Sequence, residues 1–143
     1  MDGVRRRIYL ASRYSRRHEM QALGFRLSVA GHLITSRWIA GNHQISDDEL
    51  GSGEQERLLG ERYAHEDLVD LAQADLVICF SETPRTTTSR GGRHVELGYA
   101  LALNKEVWLV GPIENAFHCL GAIRRFEVLG EMLAELGASD DGG

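Results

Sequence analysis

One acidic side chain stands inside an apolar run. In RGGRHVELGYALALNK, residues 90–105, the stretch from Val95 to Leu103 is apolar or aromatic apart from Gly98 and Glu96. A helix over 92–103 puts that carboxylate near its start, where the macrodipole favours a negative charge by ~0.3–1 kcal/mol. This account needs no reaction. Burial supplies a different one. A carboxylate taken out of water loses several kcal/mol of solvation unless it is paired or used, and one held near neutral donors is suited to attack an electrophilic carbon. Gly91, Gly92 and Arg93 come just before it, so their backbone N–H groups line a helix start of the kind that holds anions. Neither GxxxxGK[ST] nor GxGxxG is present, and the glycine turn taken alone also reads as an ordinary helix N-terminus.

Other chemistry-bearing residues carry the same double reading. Tyr9, in the strand-like RIYLAS, is a core aromatic or a functional hydroxyl. Asp67 sits between Glu66 and Asp70 on a charged helix, where a solvated carboxylate is the simple account. Trp38 either packs or stacks on a ligand ring. No metal site is expected: His94 and Glu96 are two residues apart and point to different sides of a helix, while His65 and His118–Cys119 lack zinc-ligand spacing.

These side chains need a scaffold, and strand and helix patterns alternate along the chain. Strand candidates are 7–12, 32–38, 75–81, 106–111 and 124–129. Helices are expected at 16–30, with Met20, Leu23, Leu27 and Ala30 on one stripe ended by Gly31, and at 61–74, with Leu68, Leu71 and Ala72 inward. Further helices are expected at 92–103 and from about Val128 to Leu136. Residues 39–59 read as a mobile loop with a turn and a half of helix near its end, and the tail 138–143 is expected to be disordered. The uninterrupted apolar run DLVICFS suits the centre of a parallel sheet. The expected fold is therefore α/β, a doubly wound, flavodoxin-like or Rossmann-like five-stranded parallel sheet flanked by helices, in a single domain over 1–143. Ligands of such sheets bind beyond the carboxyl ends of the strands, which selects the loops after Ser12, Trp38, Ser81 and Gly111.

Composition narrows the partners. With 143 residues and 43% hydrophobic content the chain can bury a proper core, and a net charge of −5 argues against a nucleic-acid polymer as partner. No apolar run approaches the ~18–20 residues of a membrane span, and the apolar segment in MDGVRRRIYLAS is too short for a signal peptide. Cys79 and Cys119 lie in apolar surroundings without CxxC spacing and read as reduced core thiols of a cytoplasmic protein.

RIYLAS, HEDLVDLAQADLVICFSE and GGRHVELGYALALNKEVWLVGP, closed by NAFHCLGAIRRFEVLGEMLAEL, resemble the nucleoside 2-deoxyribosyltransferases and their relatives that hydrolyse nucleoside 5′-monophosphates. The segments follow the family's order and span most of the chain. The resemblance implies that Glu96 is the nucleophile that attacks C1′ of the sugar and forms a glycosyl ester. It implies that Tyr9 holds that glutamate and that Asp67 contacts the base and assists its departure. Trp38 is then a candidate to stack on the base. Asn115 and His118, after the fourth strand, occupy a region from which relatives build sites across a subunit contact, so a homodimer or larger assembly is expected. No cofactor is implied.

Two departures bear on the substrate. Arg90 stands six residues before Glu96, where free-nucleoside transferases carry an aspartate on a sugar hydroxyl, and His94 replaces a glycine of several relatives. The loop SRYSRR is rich in hydroxyl and guanidinium groups, and arginine suits bidentate phosphate contacts. Ser12, Arg13, Gly92 and Arg93, with Arg90, therefore read as substrate-binding residues that cradle a 5′-phosphate, set against a surface loop of solvated arginines. The expected activity is cleavage of the N-glycosidic bond of a (2-deoxy)nucleoside or its 5′-monophosphate through Glu96, ending in hydrolysis or in transfer to another base. A non-catalytic nucleotide-binding sensor of the same fold is the alternative.

Overall fold

The computed structural model describes residues 4–41, 53–87 and 90–138. Five strands, β1 (Arg7–Ala11), β2 (Leu33–Ile34), β3 (Leu76–Phe80), β4 (Glu106–Val110) and β5 (Ile123–Phe126), form one sheet in the order β2-β1-β3-β4-β5. Every neighbouring pair is parallel. Between and after the strands run α1 (Arg17–Val29), α2 (Glu54–Ala72), α3 (Gly92–Ala102) and α4 (Leu129–Glu135). This is the expected doubly wound parallel sheet, in the flavodoxin-like strand order. All five residues of β3 are buried, as a strand covered on both faces requires. None of the described helices is long and apolar enough to cross a membrane.

The chain leaves β1 outward to β2 and leaves β3 in the opposite direction to β4. Such a reversal opens a crevice beyond the carboxyl ends of the two central strands. Tyr9 lies opposite Val77, and Ala11 opposite Cys79, so these four residues share one face of the sheet.

Several elements differ from expectation. The second strand is only Leu33–Ile34 rather than 32–38. Thr35 N still donates to Ile8 O at 2.8 Å, but the next ladder position is taken by a side chain, Ser36 Oγ accepting from Leu10 N at 3.1 Å. The backbone is thereby released into a 3-10 turn at Arg37–Ala40. Helix α2 begins at Glu54, well before 61, with Glu54 and Glu56 placed favourably in its first turn. The part of the expected loop at 42–52 lies outside the described residues, as does 139–143 of the expected tail; Ala138 is half-buried and donates to Leu133 O. On α2, Leu71 is buried but Ala72 is exposed. Its inward polar place belongs to Asp70, which accepts from the Arg37 backbone and guanidinium at 3.0 Å. Cys79 is buried as expected, whereas Cys119 is exposed at the end of a surface 3-10 turn, Ala116–Cys119.

Candidate active site

Strand β1 is buried from Ile8 to Ala11, and alternation sends Tyr9 to one face while Ile8 and Leu10 go to the other. Above Tyr9 lies α3. Its inward side carries Arg93, Leu97 and Ala100 at helical spacing, and Glu96 falls on the same stripe. The helix is not enclosed all round, as its composition suggested: Val95 is 66% exposed, so the outer face is open. The inward stripe aims Glu96 at β1. There Tyr9 Oη donates a 2.5 Å hydrogen bond to Glu96 Oε2.

The environment of this pair is poor in positive charge. Burial pushes the Glu96 carboxyl up to about 8, the Tyr9 hydrogen bond pulls it partway back, and the negative Asp67 pushes it up again. The site therefore favours the protonated acid more than water does. Burial, followed by the charges of Glu96 and Asp67, raises the Tyr9 phenol well above its ordinary value, so it stays a donor. Below the helix, burial and then Glu96 push the Cys79 thiol far up, with Arg93 acting in the opposite sense. Asp67, half-buried on α2 with Oδ1 out of solvent, is felt by both Tyr9 and Glu96. The three residues expected to do chemistry thus converge from β1, α2 and α3.

The surrounding rim is arranged differently from expectation. Helix α3 starts at Gly91 in the left-handed region (φ 90°) with no capping side chain. Arg93 turns inward, 6% exposed, and its NH1 and NH2 donate to Glu114 Oε1 and Oε2 at 2.5 and 2.6 Å. Glu114 Oε1 also accepts from Glu82 N at 3.1 Å. These contacts, with the Arg93 fork first, hold the Glu114 carboxyl down to about 2. Arg93 is thus engaged within the protein, because a buried guanidinium takes the nearest carboxylate. Arg13 lies 3.9 Å from Glu82, which also pairs with Arg16 at 2.9 Å. Ser12 Oγ donates to Arg13 O, and Gly92 and Arg90 are exposed. The Nε–H groups of Arg13 and Arg93 are buried without a hydrogen-bond partner among the described residues.

Trp38 is only 4% exposed, and its indole N–H donates to Leu10 O at 2.7 Å. It packs, with Tyr14 at 6.0 Å, instead of offering an open stacking face. Asn115 Oδ1 accepts from Phe117 N, and Asn115 Nδ2 lies 3.4 Å from His94 Nδ1. His118 is buried and its Nδ1 accepts from Glu114 N at 3.1 Å. Both residues thus form a cluster with His94 and Glu114 of their own chain. At the strand exits, Gly111 has φ +119°, and a Cβ there would lie 2.6 Å from Ser81 Oγ, which donates to Pro112 O at 2.6 Å. Sequence reasoning missed Glu82 and Glu114. Their partners are distant in sequence, and no local spacing announces such pairs.

A doubly wound domain with a buried phenol–carboxyl pair at its switch point is the class that fold and site define. Among the solved structures that share the fold are two enzymes. One, the CMP N-glycosidase BcmB of Clostridium botulinum, is 19% identical over 92% of this chain and 98% of its own, with a TM-score of 0.55. The other, a 2-deoxyribosyltransferase from the psychrotolerant bacterium Bacillus psychrosaccharolyticus, is 20% identical over 93% of this chain and 97% of its own, with a TM-score of 0.65. No protein-family model and no curated protein matches the sequence.

Proposed function

We propose that the protein cleaves the N-glycosidic bond of a nucleoside or nucleoside 5′-monophosphate by double displacement at Glu96. The observation that carries this reading is the 2.5 Å contact from Tyr9 Oη to a Glu96 carboxyl that burial leaves without a cation. The activities in the names of the two solved structures support the same reaction class. In its ionised form Glu96 attacks C1′ while the C1′–N bond breaks and its electron pair leaves with the base. As Glu96 ionises, its proton passes to Asp67, which delivers it to the departing base. Tyr9 keeps one carboxyl oxygen fixed so that the other is the one presented to the sugar. Water or a second base then opens the glycosyl ester from the same face, which retains the configuration at C1′.

The partly exposed Arg13 guanidinium supports acceptance of a 5′-phosphate, while Glu82, 3.9 Å away, balances its charge. The exposed Val95 and Phe117, each 66% accessible, suit the expected homodimer, which sedimentation checks.

The deciding experiment incubates the protein with a panel of nucleosides and 5′-monophosphates, with and without a second free base, and follows base release by chromatography. Release from monophosphates alone marks a hydrolase of nucleotides; base exchange independent of phosphate marks a transferase. Glu96→Ala retains binding and loses turnover. An unchanged rate in that variant removes Glu96 from the mechanism, and binding without any turnover in the wild type favours a nucleotide sensor.

A further inference from the structure

The reacting pair needs α3 to be held in place, yet the start of that helix has no conventional anchor. Gly91 provides no capping side chain, and among the described residues nothing beyond their own chain neighbours and the helix backbone lies within 4 Å of where a Cβ on Gly91 or Gly92 would be. What ties this end down is Arg93, one residue into the helix. Its fork reaches Glu114 in the loop after β4, and the same carboxylate accepts the backbone N–H of Glu82 just after β3. One carboxylate therefore joins the exits of two strands to the first turn of the helix that carries Glu96. Arg93 and Glu96 lie three positions apart on the inward stripe, so a rotation or slide of that first turn moves the Glu96 carboxyl directly. The pair is nearly dry, with side-chain exposures of 5% and 10%, and a bidentate fork restricts orientation as well as distance.

We propose that Arg93 and Glu114 act as a charge-neutral brace that positions Glu96 against Tyr9, in place of a helix cap. Neither residue touches the sugar in this role; both are positioning residues. Neutrality matters as well as grip. The groups facing Glu96 are Tyr9 on β1, Asp67 on α2 and Cys79 on β3. An uncompensated guanidinium beside them would lower the cost of ionising Glu96, and Glu114 cancels it.

The kinetic part of the proposal rests on the glycosidase reading, so the test has one arm that does not. Arg93→Met with Glu114→Leu removes both charges together and leaves the local net charge unchanged. In that double variant, loss of the Tyr9 contact raises the titration midpoint of Glu96, read by carbon-13 NMR of labelled glutamate and assigned with Glu96→Gln, by about one pH unit. The kcat for base release falls about 10- to 100-fold with KM nearly constant, the pattern of a displaced catalytic group. Arg93→Lys, which keeps the charge and loses the fork, gives an intermediate loss. A midpoint and kcat equal to wild type in both variants overturn the brace, even if thermal stability drops. Should the double variant not fold, Arg93→Lys alone decides by the same two readouts. Absence of base release from every wild-type substrate sinks the glycosidase reading and leaves the NMR titration to decide the brace.

Discussion

Glu96 and Glu114 sit at the same edge of the sheet, both largely withdrawn from water, and they are driven in opposite directions. Glu114 has a bidentate guanidinium and a backbone N–H, and is held down to about 2. Glu96 has one phenol and a nearby negative aspartate, and is pushed up to about 8. The difference lies in the partners supplied. A buried carboxylate given a cation is spent on holding the structure together, since its charge is already satisfied. One given only a neutral donor keeps its proton and is reactive once the proton leaves.

The contrast can be broken at either end. The largest effect is expected for Glu96→Gln, which lowers base release by at least ~10³-fold in a steady-state assay. Its effect on stability has a definite sign. The folded-state value of Glu96 is raised, so its stabilising contribution is present at acid pH and is lost as pH rises through about 8. Glu96→Gln should therefore gain on wild type in thermal melts taken as pH rises from the ordinary glutamate value to about 8. Glu114 has the reverse dependence: its contribution is present above the ordinary glutamate value and is lost as pH falls toward about 2.

Next in size is Glu114→Ala, which strands the buried Arg93 charge and costs ~3–5 kcal/mol in denaturant unfolding. Tyr9→Phe sharpens the comparison without unfolding anything. It removes the one contact that lowers Glu96, so the ascending limb of the pH–rate profile moves above about 8. A shift of about one unit corresponds to roughly a tenfold slower reaction at neutral pH. The smallest effect is expected at the exposed pair of Arg62 and Glu66, 3.2 Å apart on α2. Arg62→Ala should change unfolding free energy by no more than ~0.5 kcal/mol, the scale of solvent-screened helix pairs.

Much of this was legible from local pattern. An unbroken apolar run such as LVICF fits only a strand covered on both sides, and it is β3 at the sheet's centre. Glu96 stood out because a charge on an apolar helix needs a reason, and the structure puts it on the inward stripe with Tyr9. What stayed hidden depends on long-range partners. The β2 region kept a strand-like composition, but Ser36 replaced a ladder contact and ended the pairing early. Trp38 invited a stacking role until its N–H was found on the Leu10 carbonyl. Arg93 read as a phosphate ligand because nothing within the segment that carries it signals Glu114, 21 residues away.

Gly111 sets how closely the exits of β3 and β4 approach each other. With only a hydrogen where other residues carry carbon, it lets the β4 exit close on Ser81, whose hydroxyl bridges to Pro112. A methyl group at that point would wedge the two strand ends apart and carry the Glu114 loop outward with them. The closeness of these two strand exits is thereby fixed by the smallest side chain available.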